Sequence, residues 1–256
     1  MNFAIFNKEN EKSEKLKEQI KERLLLSRLN IDEENPDVVI VIGGDGTFLK
    51  AVHHYMNKLD KVSFIGLRSG SLGFYYDFVM DDIDAFILSL KENAFTTSKH
   101  HLLECDINGN IIYALNEVRF ENPFHTFACE VFINEEKLEK YQGSGLLVCN
   151  ELGSTAYNKS LGGAVISNDL PLLQLTEIAT IQNNVYHSLG SSLVLPNDTV
   201  LSFKGDFNKT VIGYDHLTID SNHAQTIRVY ASKKTITLLK PLNSSYIKTL
   251  TRSFVK

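Results

Sequence analysis

The stretch Val38-Val-Ile-Val-Ile-Gly43-Gly44-Asp45-Gly46-Thr47-Phe48-Leu49 constrains this chain more than any other. An unbroken β-branched run reads as a buried strand, Gly43 and Gly44 cut it off, and Thr47 to Met56 reads as a helix. Strand, glycine turn and helix in that order are one half of a βαβ unit. The flanking residues continue the alternation. Phe3 to Phe6 is a strand, and Leu16, Ile20 and Leu24 recur at helical spacing within a charged segment from Glu11 to Asn30. Val62 to Leu67 is a further strand, and Ile83, Phe86, Ile87 and Leu90 mark one apolar helical face. Such alternation predicts parallel strands joined by helices, because a parallel pair needs a long crossover.

Beyond about Thr97 the pattern shortens to His101–Ile107, Ile111–Phe120, Cys129–Ile133 and Leu146–Cys149, with Asn, Gly and Pro between the runs. It returns in Thr199–Phe203, Thr210–Tyr214, Thr226–Ala231 and Thr235–Leu239. These are hairpin-like strands. The fold class expected is therefore α/β: an N-terminal α/β nucleotide-binding domain over 1–96, and a second, mostly β C-terminal domain over 97–256. The C-terminal end is expected to pack back on the first domain.

Chemistry starts at the glycine turn. Glycines let a backbone approach a phosphate, and the N–H groups at a helix start favour an anion. Glycines alone sit at such turns in any doubly wound fold. Asp45 among them needs its own reason, since a carboxylate beside phosphates is repelled unless it meets a metal or a hydroxyl. Both options belong to phosphoryl transfer.

Asn116-Glu117 follows an apolar run, and its carboxylate could accept hydrogen bonds from a vicinal diol such as a ribose. Alone, the pair reads more readily as a polar cap on a hairpin. Gly153-Ser154-Thr155-Ala156-Tyr157-Asn158-Lys159-Ser160-Leu161-Gly162-Gly163 would open a short helix, with Ser154 or Thr155 capping its N–H groups. Tyr157 can stack on a flat ring, and Ser160 lies three positions on, along the same helix side.

Gly43-Gly44-Asp45-Gly46-Thr47 resembles the signature shared by NAD kinases, diacylglycerol and sphingosine kinases and, less closely, phosphofructokinases. Asn116-Glu117 and the Gly153 to Gly163 segment resemble NAD kinase motifs, as does Gly70-Ser71-Leu72-Gly73-Phe74, and together the motifs span most of the chain in family order. The resemblance implies ATP-dependent phosphorylation of the adenosine-ribose 2′-hydroxyl of NAD, with Mg2+ carried by ATP rather than fixed by protein ligands. It implies Asp45 as the catalytic carboxylate. The implied binding residues are Gly43, Gly44, Gly46, Thr47, Phe74, Tyr75, Asn116, Glu117, Thr155, Ala156, Tyr157, Asn158, Lys159 and Ser160, with Ala179 and Ile181 as a further wall. It also implies a homo-oligomer, a homotetramer or homodimer. A carboxylate at a helix start is expected to be ionised.

Two departures stand out. Gly143-Ser144-Gly145 replaces a Gly-Asp-Gly of many relatives, leaving Ser144 at the site position, and Asn150-Glu151-Leu152-Gly153 replaces a Thr-Pro-Ser/Thr-Gly. Alternatives are a lipid or sphingoid kinase of the same superfamily, or a non-catalytic dinucleotide-binding protein.

Composition excludes other classes. A net charge of -5 argues against nucleic acid or an anionic membrane as the main partner. Cys105, Cys129 and Cys149 lie far apart without a Cys-x-x-Cys pair, so neither a disulfide framework nor a zinc site is suggested. His53-His54 and His100-His101 lack partners at metal-ligand spacing. No Gly-Lys-Ser/Thr phosphate loop and no nucleophile elbow occur. The start of the chain is too short in apolar residues for a secretory leader, and no run reaches spanning length, so a cytoplasmic protein is expected.

Overall fold

A computed structural model describes residues 1–68, 73–76, 78–79, 83–221 and 224–255, so Gly70, Ser71 and Leu72 of the glycine-rich turn lie outside the described residues. The chain forms two units, Met1–His100 with Thr235–Lys256, and His101–Lys234.

The first unit contains β1 (Asn2–Asn7), α1 (Glu11–Leu26), β2 (Asn30–Ile31), β3 (Val38–Gly43), α2 (Asp45–His54), β4 (Ser63–Arg68), β5 (Phe78–Val79) and α3 (Ile83–Glu92). Its strands are parallel, in the order β2-β1-β3-β4, with β5 also on β4. Side chains of a strand alternate between faces, and both faces here are used. Phe3, Ile5, Val38, Ile40, Ile42, Ile65 and Leu67 form one core with Leu16, Ile20 and Leu24 of α1 and Phe86, Ile87 and Leu90 of α3. Phe64 points the other way, where its ring lies 5.9 Å from that of Phe48 on α2. β3 is buried along its whole length, as a central parallel strand must be.

Helix α1 starts where Asn10 accepts the Ser13 N–H at 2.8 Å. It stops earlier than the charged segment suggests. Arg28 takes φ +59°, and Asn30 and Ile31 leave the helix to pair with Asn2 and Phe3 as β2.

The second unit is mostly antiparallel. β6 (Phe95–Ile107) enters it, followed by β7 (Asn110–Ala114), β8 (Glu117–Glu121), β9 (Phe127–Ile133), β10 (Glu136–Gly143), β11 (Gly145–Asn150) and α4 (Tyr157–Ser160). Then come β12 (Leu172–Ile178), β13 (Leu193–Pro196), β14 (Val200–Gly205), β15 (Val211–Tyr214), β16 (Leu217–Asp220) and β17 (Thr226–Pro241), which leads back into the first unit and to α5 (Tyr246–Leu250). A six-stranded sheet runs β13-β12-β11-β8-β15-β16. It shares a core with the strands β9, β14 and the first part of β17: Phe120, Val148 and Ile212 from one layer pack with Val131, Phe203 and Val229 from the other.

The expected run Ile111–Phe120 is two strands. It breaks at Leu115 and Asn116, whose N–H groups turn to Asp215. Conversely, Thr226–Ala231 and Thr235–Leu239 are parts of one strand, β17.

Candidate active site

Asp45 is the first residue of α2, behind an N-cap, Gly44, that offers no side chain. Its carboxylate meets the turn after β4. The Phe74 N–H donates to Oδ1 at 2.9 Å and to Oδ2 at 3.1 Å, and the Tyr75 N–H reaches Oδ1 at 3.3 Å. Gly73 makes this approach possible: a Cβ there would stand 2.8 Å from Asp45 Oδ1. The buried Tyr76 hydroxyl donates to the Gly44 carbonyl at 2.7 Å, and the Tyr75 ring stacks on Phe48 at 4.5 Å. Thr47 is buried, Gly43 ends β3, and Gly46 is exposed.

Arg252, past α5, closes the turn from behind. Its Nη2 donates to the Tyr76 carbonyl at 2.9 Å and to that of Gly73 at 3.4 Å, while the Phe254 ring lies 5.1 Å from Phe74. Asp45 does not have the simple electrostatics of an exposed helix start. Burial pushes its carboxyl above the ordinary range, and the Phe74 and Tyr75 N–H groups and the Arg252 guanidinium pull it back.

In the second unit, Asn116 and Glu117 stand at the head of β8 and both are buried. Asp215, at φ +49° between β15 and β16, accepts the N–H groups of Leu115 and Asn116, each at 2.7 Å. The Asn150 amide donates to the Leu115 carbonyl at 2.9 Å and accepts the Gly153 N–H at 3.0 Å, tying β11 and the next turn to the same loop. Glu117 is 5 % exposed, and among the described residues its Oε2 has no hydrogen-bond partner. Burial and then Asp215 push it up to about 8, Arg119 pulls it down, and Glu121 pushes it further up.

Tyr157 reaches this group from α4. Its hydroxyl donates to Glu121 Oε1 at 3.1 Å, and its ring is partly exposed. Thr155 and Ala156 are half-buried, Lys159 and Ser160 exposed. Asn158 is buried and turned inward, donating to the Ser154 and Ala164 carbonyls and accepting from Thr176. Among the described residues no side chain caps α4 or the turn before it, contrary to the expectation for Ser154 or Thr155. Ser154 instead donates to the Glu151 carbonyl at 2.8 Å and accepts the Ile166 N–H at 3.0 Å.

Ser144 links β10 to β11. Its N–H donates to the Ile178 carbonyl and its carbonyl accepts from the Asn122 N–H, both at 3.0 Å. Alongside, Ala179 sits at φ +47°, and the partly exposed Ile181 donates its N–H to the Gln142 carbonyl at 2.8 Å. Ser144, Ala179 and Ile181 are thus brought together, and Gly145 connects them to Glu121 through the register of β11 and β8.

Sequence reading missed Arg119, Glu121, Asp215 and Arg252, and met Asn150 only as part of a departure from the family pattern. The first two carried a signal, since Glu117, Arg119 and Glu121 alternate charge along one face of a strand. The others hold the site through contacts that only the folded chain creates.

Similarity to known proteins extends over the same residues. A model of the ATP-NAD kinase N-terminal domain matches residues 2–93, and one of the ATP-NAD kinase C-terminal domain matches 115–240. An NAD kinase of Lysinibacillus sphaericus is 39% identical over 236 residues, covering 89% of this chain and 88% of that one. NAD kinase 1 of Oceanobacillus iheyensis is 36% identical over 244 residues, covering 92% and 91%. Among solved structures, yeast NADH kinase complexed with NADH superposes with a TM-score of 0.84 at 18% identity, covering 100% of this chain and 87% of that one. An NAD kinase from Archaeoglobus fulgidus in complex with ATP gives 0.81 at 17%, covering 99% and 98%. Those two likenesses concern the fold. With both domain models and these relatives in agreement, this chain belongs to the ATP-NAD kinase family.

Proposed function

We infer that this chain transfers the γ-phosphoryl group of ATP to the 2′-hydroxyl of the adenosine ribose of NAD, giving NADP and ADP. The 2′-oxygen forms a bond to the γ-phosphorus, the bond to the β–γ bridging oxygen breaks with ADP as the leaving group, and the hydroxyl proton passes to the Asp45 carboxylate. The observation that carries the assignment of residues is the fixed Asp45 carboxylate, held by two backbone N–H groups at an uncapped helix start.

Asp45 is read as the catalytic carboxylate. Phosphoryl transfer passes through a loose transition state, so orienting the hydroxyl matters more than early proton removal. A carboxyl raised by burial is also a better proton acceptor once ionised than an ordinary one. Gly43, Gly44, Gly46 and Thr47 offer backbone and hydroxyl donors to phosphate, and Phe74 and Tyr75 form the opposing turn. Magnesium enters with ATP as part of that substrate.

Asn116 and Glu117 are assigned to a ribose diol, which would supply the donors that Glu117 Oε2 lacks. Tyr157 is assigned to stacking, with Thr155, Ala156, Lys159 and Ser160 beside it. Asn158 holds the turn from inside. Ser144, Ala179 and Ile181 are assigned to a further part of the dinucleotide. A cytoplasmic homotetramer or homodimer is the proposed form. Among the described residues no helix is long and apolar enough to cross a membrane.

Incubation with ATP, magnesium and NAD tests the reading, with NADP measured by an NADP-specific dehydrogenase. Dinucleotide binding without NADP formation would point to a sensor, and phosphorylation of diacylglycerol or sphingosine in place of NAD to a lipid kinase. Neither is favoured by a chain matched by both NAD kinase domain models.

A further inference from the structure

Strand β8 presents Glu117, Arg119 and Glu121 at alternate positions, hence on one face. Arg119 binds both neighbours: its Nε donates to Glu121 Oε2 at 2.8 Å, and its Nη1 lies 3.7 Å from Glu117 Oε1. Nη1 also donates to the Asp215 carbonyl at 3.4 Å. The other oxygen of Glu121 accepts the Tyr157 hydroxyl at 3.1 Å, and the guanidinium carbon lies 5.7 Å from the centre of the Tyr157 ring. Arg119, Glu121 and Tyr157 therefore close a ring of contacts, two through hydrogen bonds and one through the aromatic face.

The neighbouring strand leaves space for this arrangement. Gly213 of β15 is in register with Arg119, and a Cβ there would stand 2.6 Å from Arg119 Cζ. Any larger residue at 213 would displace the guanidinium.

We propose that Arg119 is a positioning residue for the dinucleotide site, clamped by Glu121 so that it supports the Glu117 carboxylate and the Tyr157 ring together. The proposal rests on the reading that Glu117 and Tyr157 contact NAD. Around Glu117 stand Asp215 from the β15–β16 turn, Arg119 and Glu121 from β8, the buried Cys149 thiol opposite it on β11, and Tyr157 from α4. Without Arg119, the acidic Asp215 and Glu121 act on Glu117 without the guanidinium's opposing pull, and a neutral carboxyl accepts less well from a diol. A lysine keeps the charge. It cannot hold Glu121, approach Glu117 and lie flat under a ring at once, because it lacks the planar fork.

The test is the affinity for NAD across pH, measured calorimetrically for the wild type, Arg119→Met, Arg119→Lys, Glu121→Gln and Glu117→Gln, with melting temperature as the fold control and ATP affinity as the site control. In the wild type, NAD binding should strengthen as pH rises through the ionisation of Glu117, whose carboxyl burial pushes up to about 8. Arg119→Met should raise that midpoint by about one pH unit or more, weakening NAD roughly tenfold below it, and leave ATP affinity unchanged. Arg119→Lys should keep the midpoint near its wild-type place while NAD still weakens severalfold, since charge is retained and the clamp is lost. Glu121→Gln, which preserves shape, releases the clamp but also removes a charge that pushes Glu117 up, so it should weaken NAD severalfold without raising the midpoint, and it serves if Arg119→Met does not fold. A midpoint and affinity unmoved in Arg119→Met and Glu121→Gln, alongside a loss in Glu117→Gln, overturn the positioning role alone. An NAD affinity unchanged in Glu117→Gln at every pH overturns the site reading, and this proposal with it.

Discussion

The carboxylate of Asp45 and the backbone N–H of Phe74 are joined through both oxygens, at 2.9 Å and 3.1 Å. A side chain on one crossover helix is thereby locked to the loop that follows the next strand. The position of the carboxylate is set by main chain, so it should survive a change in its charge. Asp45→Asn keeps an amide oxygen to accept from Phe74 and Tyr75 and deletes the ionisable group. Turnover should fall more than tenfold, a loss above ~1.4 kcal/mol of transition-state stabilisation, with NAD affinity within about twofold of wild type. A variant retaining over a tenth of the wild-type rate would remove Asp45 from the catalytic role.

Arg252 offers a separable test of the same geometry. Its guanidinium supports the Gly73 and Tyr76 carbonyls and pulls the Asp45 carboxyl down against its burial. Arg252→Gln retains some hydrogen-bonding capacity and loses the charge. The limb of the pH–rate profile that reports Asp45 should move to higher pH, and turnover at neutral pH should drop severalfold. A profile that keeps its midpoint while the melting temperature falls would make Arg252 a purely structural strut.

How much of this was legible in the sequence differs between the units. Local signals are strong in the first: β-branched runs, a 3.6-residue period in α1 and α3, and glycines at the strand end read directly as β3, α1, α2 and α3. The second unit hides its strands. Glu136–Gly143 exposes charged residues on one side, and Leu172–Ile178 buries Gln174 and Thr176, which break the apolar pattern yet have partners in Ala164 and Asn158. Ser232 interrupts β17 in the same way, while donating to Glu104 at 2.7 Å. At the candidate site, Asp45 and Glu117 carried motifs of their own. Asp215 reads as an ordinary turn residue, because its bonds to Leu115 and Asn116 span 100 and 99 positions that only sheet order brings together.

Ser144 joins β10 to β11, and its backbone is tied on both sides, to Ile178 and Asn122. A side chain introduced there starts from a fixed point. NAD carries a cationic nicotinamide ring and NADH does not, so Ser144→Asp should tighten NAD binding relative to NADH. A partly hydrated charge pair contributes at most about 1 kcal/mol, which sets the expected change in the ratio at severalfold. Dissociation constants for both dinucleotides at one salt concentration decide it. A ratio that stays put, or moves toward NADH, separates Ser144 from the nicotinamide end.

Glu139 provides a test of stability that does not involve substrate. It lies in β10 at a shift of register, where Oε2 accepts the Leu189 N–H at 2.8 Å and Oε1 is buried with no hydrogen-bond partner among the described residues. Burial pushes its carboxyl up to about 7, the Leu189 N–H pulls the other way, and Glu177 adds to the rise. The sign follows from proton counting. Between its ordinary value of 4.5 and the folded value of about 7, the folded chain holds a proton that the unfolded chain has released, so stability falls as pH rises through that window. Glu139→Gln removes the titration while keeping size and an oxygen to accept from Leu189. Glu117, pushed up to about 8, gives a slope of the same sign in both proteins, so the difference between them isolates Glu139. The melting temperature of the variant relative to wild type should therefore rise between about pH 5 and about pH 8. A difference that is flat across this range, or that favours the wild type at the alkaline end, means that Glu139 stays ionised in the folded chain and that its buried oxygen finds solvent.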